Sequence, residues 1–244
     1  GAQFLIASLQ GADLTGAQLQ FADFSSASLQ GAVLNYAQMQ AAVLRDSDLD
    51  AASFYQAALE GADFSSARIA GADFRGAGIW MTKPPEVDMS GVADFTGATV
   101  RPPADNVAEA LRRSVASIEN KPVSTQVAEA LAPLLDPALR DGWEGSADQK
   151  QWQALIAPSA ATPAQADAYK GQITDFLGRL MCRARWSNGA VATGVARRAQ
   201  AQQFRGDLVA LYDRLKADEC PASKNVLPKV MREFASAADV ARSN

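Results

Sequence analysis

From Phe4 onward, every fifth residue is large and apolar for sixteen repeats: Phe4, Leu9, Leu14, Leu19, Phe24, Leu29, Leu34, Met39, Leu44, Leu49, Phe54, Leu59, Phe64, Ile69, Phe74 and Ile79. Two positions before each stands Ala, from Ala2 to Ala77, with Ser47 the single exception. A period of five fits neither a helix at 3.6 nor a strand at 2. It predicts a short unit stacked on itself.

Four such units make a 20-residue coil with one unit per side. The fifth residue and the preceding Ala point inward. The position between them (Asp13, Asp23, Ser28, Asp63, Asp73) points outward, as alternation along an extended segment requires. Gly11, Gly16, Gly31, Gly61, Gly71 and Gly76 recur where the chain must turn to the next side. Side chains 20 apart should stack. Phe4, Phe24 and Phe64 share one inner face, Phe54 and Phe74 another, and Gln10/Gln30, Gln20/Gln40 and Gln18/Gln38 can form amide ladders. Phe21 and Tyr36 fall at outer positions.

The units Ala12-Asp13-Leu14, Ala22-Asp23-Phe24, Ala62-Asp63-Phe64 and Ala72-Asp73-Phe74 resemble the pentapeptide repeat family, without a break over residues 1–80. The resemblance implies a right-handed quadrilateral β-helix. Four coils at about 4.8 Å each make a rod roughly 19 Å tall. The phase breaks after Ile79, where Trp80 and Met81 are expected to cap the open core. Residues 81–92 read as a loop. The pattern returns one residue out of phase as Ala93-Asp94-Phe95 and Ala98-Thr99-Val100, giving four to five coils in all.

Beyond Arg101-Pro102-Pro103 the period becomes helical. Val107, Leu111, Val115 and Ile118 make one apolar stripe, and Leu208, Leu211, Tyr212 and Leu215 another. Thr162-Pro163 reads as an N-cap and first helical residue, opening a helix with Tyr169, Ile173, Phe176, Leu177, Leu180 and Met181 on one side. Further helices are expected near 125–135, 147–157, 189–203 and 228–241. The division is thus a β-solenoid over 1–100 and an all-α domain of six or seven helices over 101–244.

The net charge of −4 is asymmetric: residues 1–100 carry eleven acids and four bases, and residues 101–244 sixteen acids and nineteen bases. The absence of His removes Ser-His-Asp and Cys-His catalysis and the usual zinc sets. No phosphate-binding glycine loop is present. Neither an enzymatic activity nor a cofactor is expected. No run approaches the roughly 20 apolar residues that span a bilayer, so a membrane is not expected to be engaged by this segment itself. The chain opens at Gly1 already in repeat phase, without Met or a signal peptide, and reads as a piece of a longer protein whose remainder could hold an anchor.

Cys182 and Cys220, 38 residues apart, are either two buried thiols in a reducing compartment or one disulfide in an exported domain. Cytoplasm and cell envelope both stay open. From Phe176 to Gly206 there is no acid and there are six bases: Arg179, Arg183, Arg185, Arg197, Arg198 and Arg205. This run can bind nucleic acid or anionic lipid headgroups, dock on an acidic surface, the chain's own rod or a partner's, or be solvated, and the last two are favoured. Nucleic acid fits it poorly, given little aromatic interleaving and an acidic whole.

The leading expectation is a non-enzymatic interaction scaffold with a protein partner or a second copy of itself. The alternative is suggested by the family resemblance and the acidic rod: a DNA-mimic inhibitor or protector of a type II topoisomerase such as gyrase. A rod rich in outer Gln, Ser and Ala, short, and followed by about 140 further residues departs from that pattern. A membrane-tethered envelope protein is the third reading.

Overall fold

The computed structural model describes residues 1–86, 93–102, 105–119, 121–136, 142–159, 163–201, 204–217 and 219–243. The repeats form a solenoid in which each unit bridges the unit 20 residues on, in parallel: Gln3 with Asp23, Asp13 with Val33, Ser53 with Asp73. Bonds alternate up and down the stack, with the Phe4 amide donating to the Asp23 carbonyl at 2.7 Å and the Asp23 amide to that of Ala2 at 2.9 Å. The stacked rings keep the same spacing: Phe4 on Phe24 at 4.7 Å, Phe54 on Phe74 at 4.9 Å and Phe74 on Phe95 at 5.0 Å.

Each corner is a turn closed by the amide of the inner Ala on the carbonyl of the preceding large residue, as Ala7 on Phe4 at 3.0 Å. Its third residue has positive φ, as in a type II turn. Gly11, Gly31 and Gly71 occupy that position, but so do Ile6, Phe21, Tyr36 and Asp46. Repetition therefore imposes the left-handed conformation even where glycine is absent. The outward Asp has a local role too. Asp23 Oδ1 accepts from the Ser25 amide at 2.9 Å and hydroxyl at 2.6 Å, and Asp63–Ser65 and Asp94–Thr96 repeat the motif. This is why Asp precedes the large residue and Ser or Thr follows it.

The phase does not break at Ile79. Thr82 fills the Ala position, Lys83 bridges Asp63, and Pro84 is buried where the large residue would stand. The repeat thus runs to Pro84, because a Thr hydroxyl returned to the Ile79 carbonyl (2.7 Å) and a Pro ring both fit these positions. The one-residue slip falls later, since Asp73 pairs with Asp94. Of the expected loop, residues 87–92 lie outside the described ones.

Seven helices follow among the described residues: α1 (Asp105–Ala116), α2 (Lys121–Leu135), α3 (Ala147–Ile156), α4 (Pro163–Arg183), α5 (Ala190–Gln200), α6 (Leu208–Lys216) and α7 (Pro228–Ser243). Pro163 is the first residue of α4; its expected cap, Thr162, lies outside the described residues. Ser146 caps α3 through the Gln149 amide, and Asp207 caps α6 through that of Ala210. Helix α5 is shorter than the expected 189–203, because Ala201 turns extended.

The helical half does not form one separate core. Leu111, Val127, Leu131, Leu134, Trp143 and Trp152 join the solenoid's core. Helices α4 to α7 build a second core that takes in Ala51 of the solenoid.

Candidate interaction surfaces

The 20-residue coil sorts the turn residues into four columns, one per corner; the helices cover one of them and reach a second. The column Gly11, Gly31, Ala51, Gly71 is buried. Helix α5 lies directly on it: a Cβ on Gly11 would come within 1.9 Å of the Ala190 carbonyl, and one on Gly71 within 2.3 Å of the Phe176 ring of α4. Arg197 donates to the Gly11 carbonyl at 2.8 Å. Arg198, 3% exposed, donates to the carbonyls of Ala51 (2.9 Å) and Gly71 (2.7 Å), bridging two successive coils.

A buried ionic cluster adjoins this seam. Arg75 binds both oxygens of Asp73, at 2.8 and 2.7 Å. Asp94 Oδ2 lies 3.6 Å from Arg75 and 3.6 Å from Arg205, which also reaches the Thr96 hydroxyl. Burial works to raise the Asp73 pKa, but the Arg75 hydrogen bonds and the Arg198 charge outweigh it and hold the carboxyl below its ordinary value. Burial pushes the neighbouring Tyr169 hydroxyl above the usual phenol range.

The diagonally opposite column, Phe21, Ala41, Gly61 and Met81, is half-buried, with Leu134 of α2 against Gly61. Beside it Trp80 packs edge-on against Trp143, with ring centroids 6.2 Å apart. Glu60, one coil below Trp80, is buried, with Oε2 lacking a hydrogen-bond partner among the described residues. Burial pushes its carboxyl up to about 7.

Trp80 and Met81 are therefore regular corner residues of the rod and not its lid. The lid is Trp152 of α3. It is fully buried, set edge-on to Phe64, Phe74 and Phe95, and its Nε1 donates to the Thr82 carbonyl at 3.1 Å. Gln151 donates to the Pro85 carbonyl, and Ser159 bonds the Phe95 amide and the Thr96 hydroxyl. An indole with one donor covers aromatic core and open strand edge together.

The other two columns face solvent: Ile6, Ser26, Asp46 and Ser66 at one corner, Gly16, Tyr36, Gln56 and Gly76 at the other. Tyr36 meets Tyr55 edge-on at 5.6 Å, and Gln20 donates to Gln38 at 3.4 Å. Asp46 of the first free corner is exposed without an ion pair among the described residues, while the acids beside that corner are matched by bases. Arg45 and Lys83 pair with Asp63, and Arg68 with Asp48 and Asp50.

The basic run is divided. Arg197, Arg198 and Arg205 are turned onto the rod. Arg179 and Arg183 are exposed and line a groove of about 440 Å³ with Cys182, Arg214 and Glu219. The Arg185 side chain lies outside the described ones. Cys182 and Cys220 form a disulfide, with Cα atoms 4.7 Å apart, tying the end of α4 to the turn before α7. Among the described residues no cluster of Cys, Asp or Glu is arranged to hold a metal ion, and no helix is long and apolar enough to cross a membrane. The seam, the ionic cluster and Trp152 were not singled out from sequence. The one available signal was the shared phase of the small residues at 11, 31, 51 and 71.

Residues 7–46 and 42–77 match the model of pentapeptide repeats, in eight copies. No curated protein matches the chain. Among solved structures, it is similar to a pentapeptide repeat protein from the Arabidopsis thaliana thylakoid lumen, at 27% identity, over 46% of this chain and 75% of that one, with a TM-score of 0.32. It is similar to a pentapeptide repeat protein from Nostoc Pcc 7120 at 31% identity, over 34% and 74%, with a TM-score of 0.32. It is also similar to QnrB1, a plasmid-mediated fluoroquinolone resistance protein, at 18% identity, over 48% and 74%, with a TM-score of 0.19.

Proposed function

The N-terminal part of the chain, residues 7–77, belongs to the pentapeptide repeat family, and from that premise we propose that the protein is a non-enzymatic protein–protein interaction scaffold. Its rod is a right-handed quadrilateral β-helix of four to five coils, held by a helical half that fastens and caps it. One observation carries this reading. The helices cover one corner column and reach the opposite one at Gly61, and the other two, Ile6/Ser26/Asp46/Ser66 and Gly16/Tyr36/Gln56/Gly76, stay exposed along the rod. Such flat, regular faces suit extended docking. The Cys182–Cys220 bond supports an oxidising compartment and so an envelope or exported location.

The test places a photo-crosslinking residue at Ser66, at Gln56 and at buried Ala51 in the native host. Adducts with one defined protein from an exposed column support the scaffold; an absence of adducts from both columns counts against it.

Mimicry of DNA against a type II topoisomerase is the second reading. It needs exposed, unmatched acids. Glu60, Asp73 and Asp94 are buried, and Asp48, Asp50 and Asp63 have basic partners, which among the described acids of the rod leaves Asp13, Asp23, Asp46 and Glu86 without an ion pair, a sparse array that speaks against it. Inhibition of gyrase supercoiling by the purified chain would restore it.

A further inference from the structure

Two acid-free segments meet at one end of the helical half. The first is Phe176–Gly206; the second is residues 220–232, which hold Lys224, Lys229 and Arg232 and no acid. They are pressed together at Gly189, where a Cβ would lie 2.6 Å from Asn225, and the Leu227 amide donates to the Thr193 hydroxyl at 3.4 Å. From the first segment Trp186 projects, 61% exposed; from the second, Leu227, 50% exposed. The other tryptophans, Trp80, Trp143 and Trp152, are all buried.

A single exposed apolar side chain is ordinary; here an exposed indole and an exposed leucine come from two segments packed against each other and both lacking acids. The charges around them indicate what covers them. Arg183, three residues before Trp186, and Lys224 and Lys229, on either side of Leu227, are all exposed. The acids at the margins are Glu219, beside Arg183 in the groove, and Glu233, 3.8 Å from Lys229. An indole and a leucine projecting among lysines and arginines combine apolar insertion with attraction to anionic headgroups. Indole also favours the boundary between headgroup and hydrocarbon.

We infer that the tip formed by Trp186 and Leu227, with Arg183, Lys224 and Lys229, docks on the surface of an anionic lipid bilayer without crossing it. This tip is separate from the exposed columns of the rod, so it allows a scaffold to sit on a membrane while holding a protein partner. Binding is expected to need both parts, the apolar tip and the basic ring.

The test uses the full chain, disulfide intact, with vesicles of phosphatidylcholine alone or with roughly a third phosphatidylglycerol. The anionic vesicles should bind on the order of a hundredfold more tightly, from three cations near the surface. Bromine-labelled lipid should quench the fluorescence of Trp186, the most exposed of the four indoles. Trp186→Ser should abolish the quenching and weaken sedimentation with vesicles at least about tenfold. Lys224→Glu with Lys229→Glu should remove the preference for phosphatidylglycerol. Both changes are at exposed positions, so circular dichroism should not move. No binding to anionic vesicles overturns the inference. So does binding unchanged by Trp186→Ser, which would indicate a purely electrostatic contact. Tight binding to an acidic protein without any to vesicles would assign the tip to a protein partner instead and equally overturn it.

Discussion

Gly194 of α5 lies directly over Gly31 of the rod: a Cβ on Gly194 would stand 2.1 Å from the Gly31 carbonyl oxygen. Helix and solenoid therefore touch backbone to backbone. Gly194→Ala improves helix propensity by about 1 kcal/mol, yet should lower stability by about 2 kcal/mol, because the whole seam must shift. Gly171→Ala in α4, where the new Cβ meets nothing within 4 Å, should instead raise stability. Urea unfolding of the two variants checks the contrast; a stabilised Gly194→Ala would refute the close contact.

Arg198 anchors the seam through two carbonyls and sits beside Asp73. Arg198→Met should cost about 3 kcal/mol, since it strands two buried acceptors and removes a cation that keeps Asp73 ionised. Arg197, half-buried with a single carbonyl partner, should cost less when changed to Met. Thermal unfolding of both proteins ranks them, and equal losses would contradict the assignment.

Glu60 gives the fold a pH dependence. Its folded pKa, about 7, lies above its ordinary value of 4.5. The penalty is absent below the lower value, accumulates as pH rises between the two, and is complete above the higher. Stability should therefore fall by about 3 kcal/mol from pH 4.5 to 8 through this group. Glu60→Gln should flatten that decline and be the more stable protein at pH 8. Denaturation midpoints at pH 5 and pH 8 measure it; parallel profiles for the two proteins would show that Glu60 is not the cause.

The Cys182–Cys220 bond closes a loop of sequence separation 38. Cys182→Ser with Cys220→Ser should lower stability by about 4 kcal/mol on the loop-entropy estimate. The loss should fall on the core of α4 to α7 while the rod's own core persists. Hydrogen exchange resolved by peptide distinguishes this from uniform loosening.

The five-residue period made the inner core legible residue by residue, because the same pair of side chains fills every side. The end of the rod was less legible. Thr82 and Pro84 replace Ala and a large residue in positions that tolerate them, and Trp152, 70 residues after Thr82, completes the core. Periodicity within a segment cannot announce a contact across that distance. The arginine run was visible as charge, but its division was not. Arg197 and Arg198 reach the carbonyls of Gly11, Ala51 and Gly71, small residues stacked in one column, a relation seen only once the chain is wound at 20 residues per turn. The ionic cluster was hidden for the same reason: Arg75 stands where Ser or Thr follows Asp13, Asp23, Asp63 and Asp94.

Solenoids in which each coil touches only its neighbours can fray or melt one layer at a time. Here the Gly11–Gly31–Ala51–Gly71 column is spanned by helices whose own core includes Ala51, so losing one coil would strip the helices of their seat. The helices therefore need the rod more than the rod needs them: fraying of a coil along this column is felt in the second core, through Ala51, as well as in the rod itself.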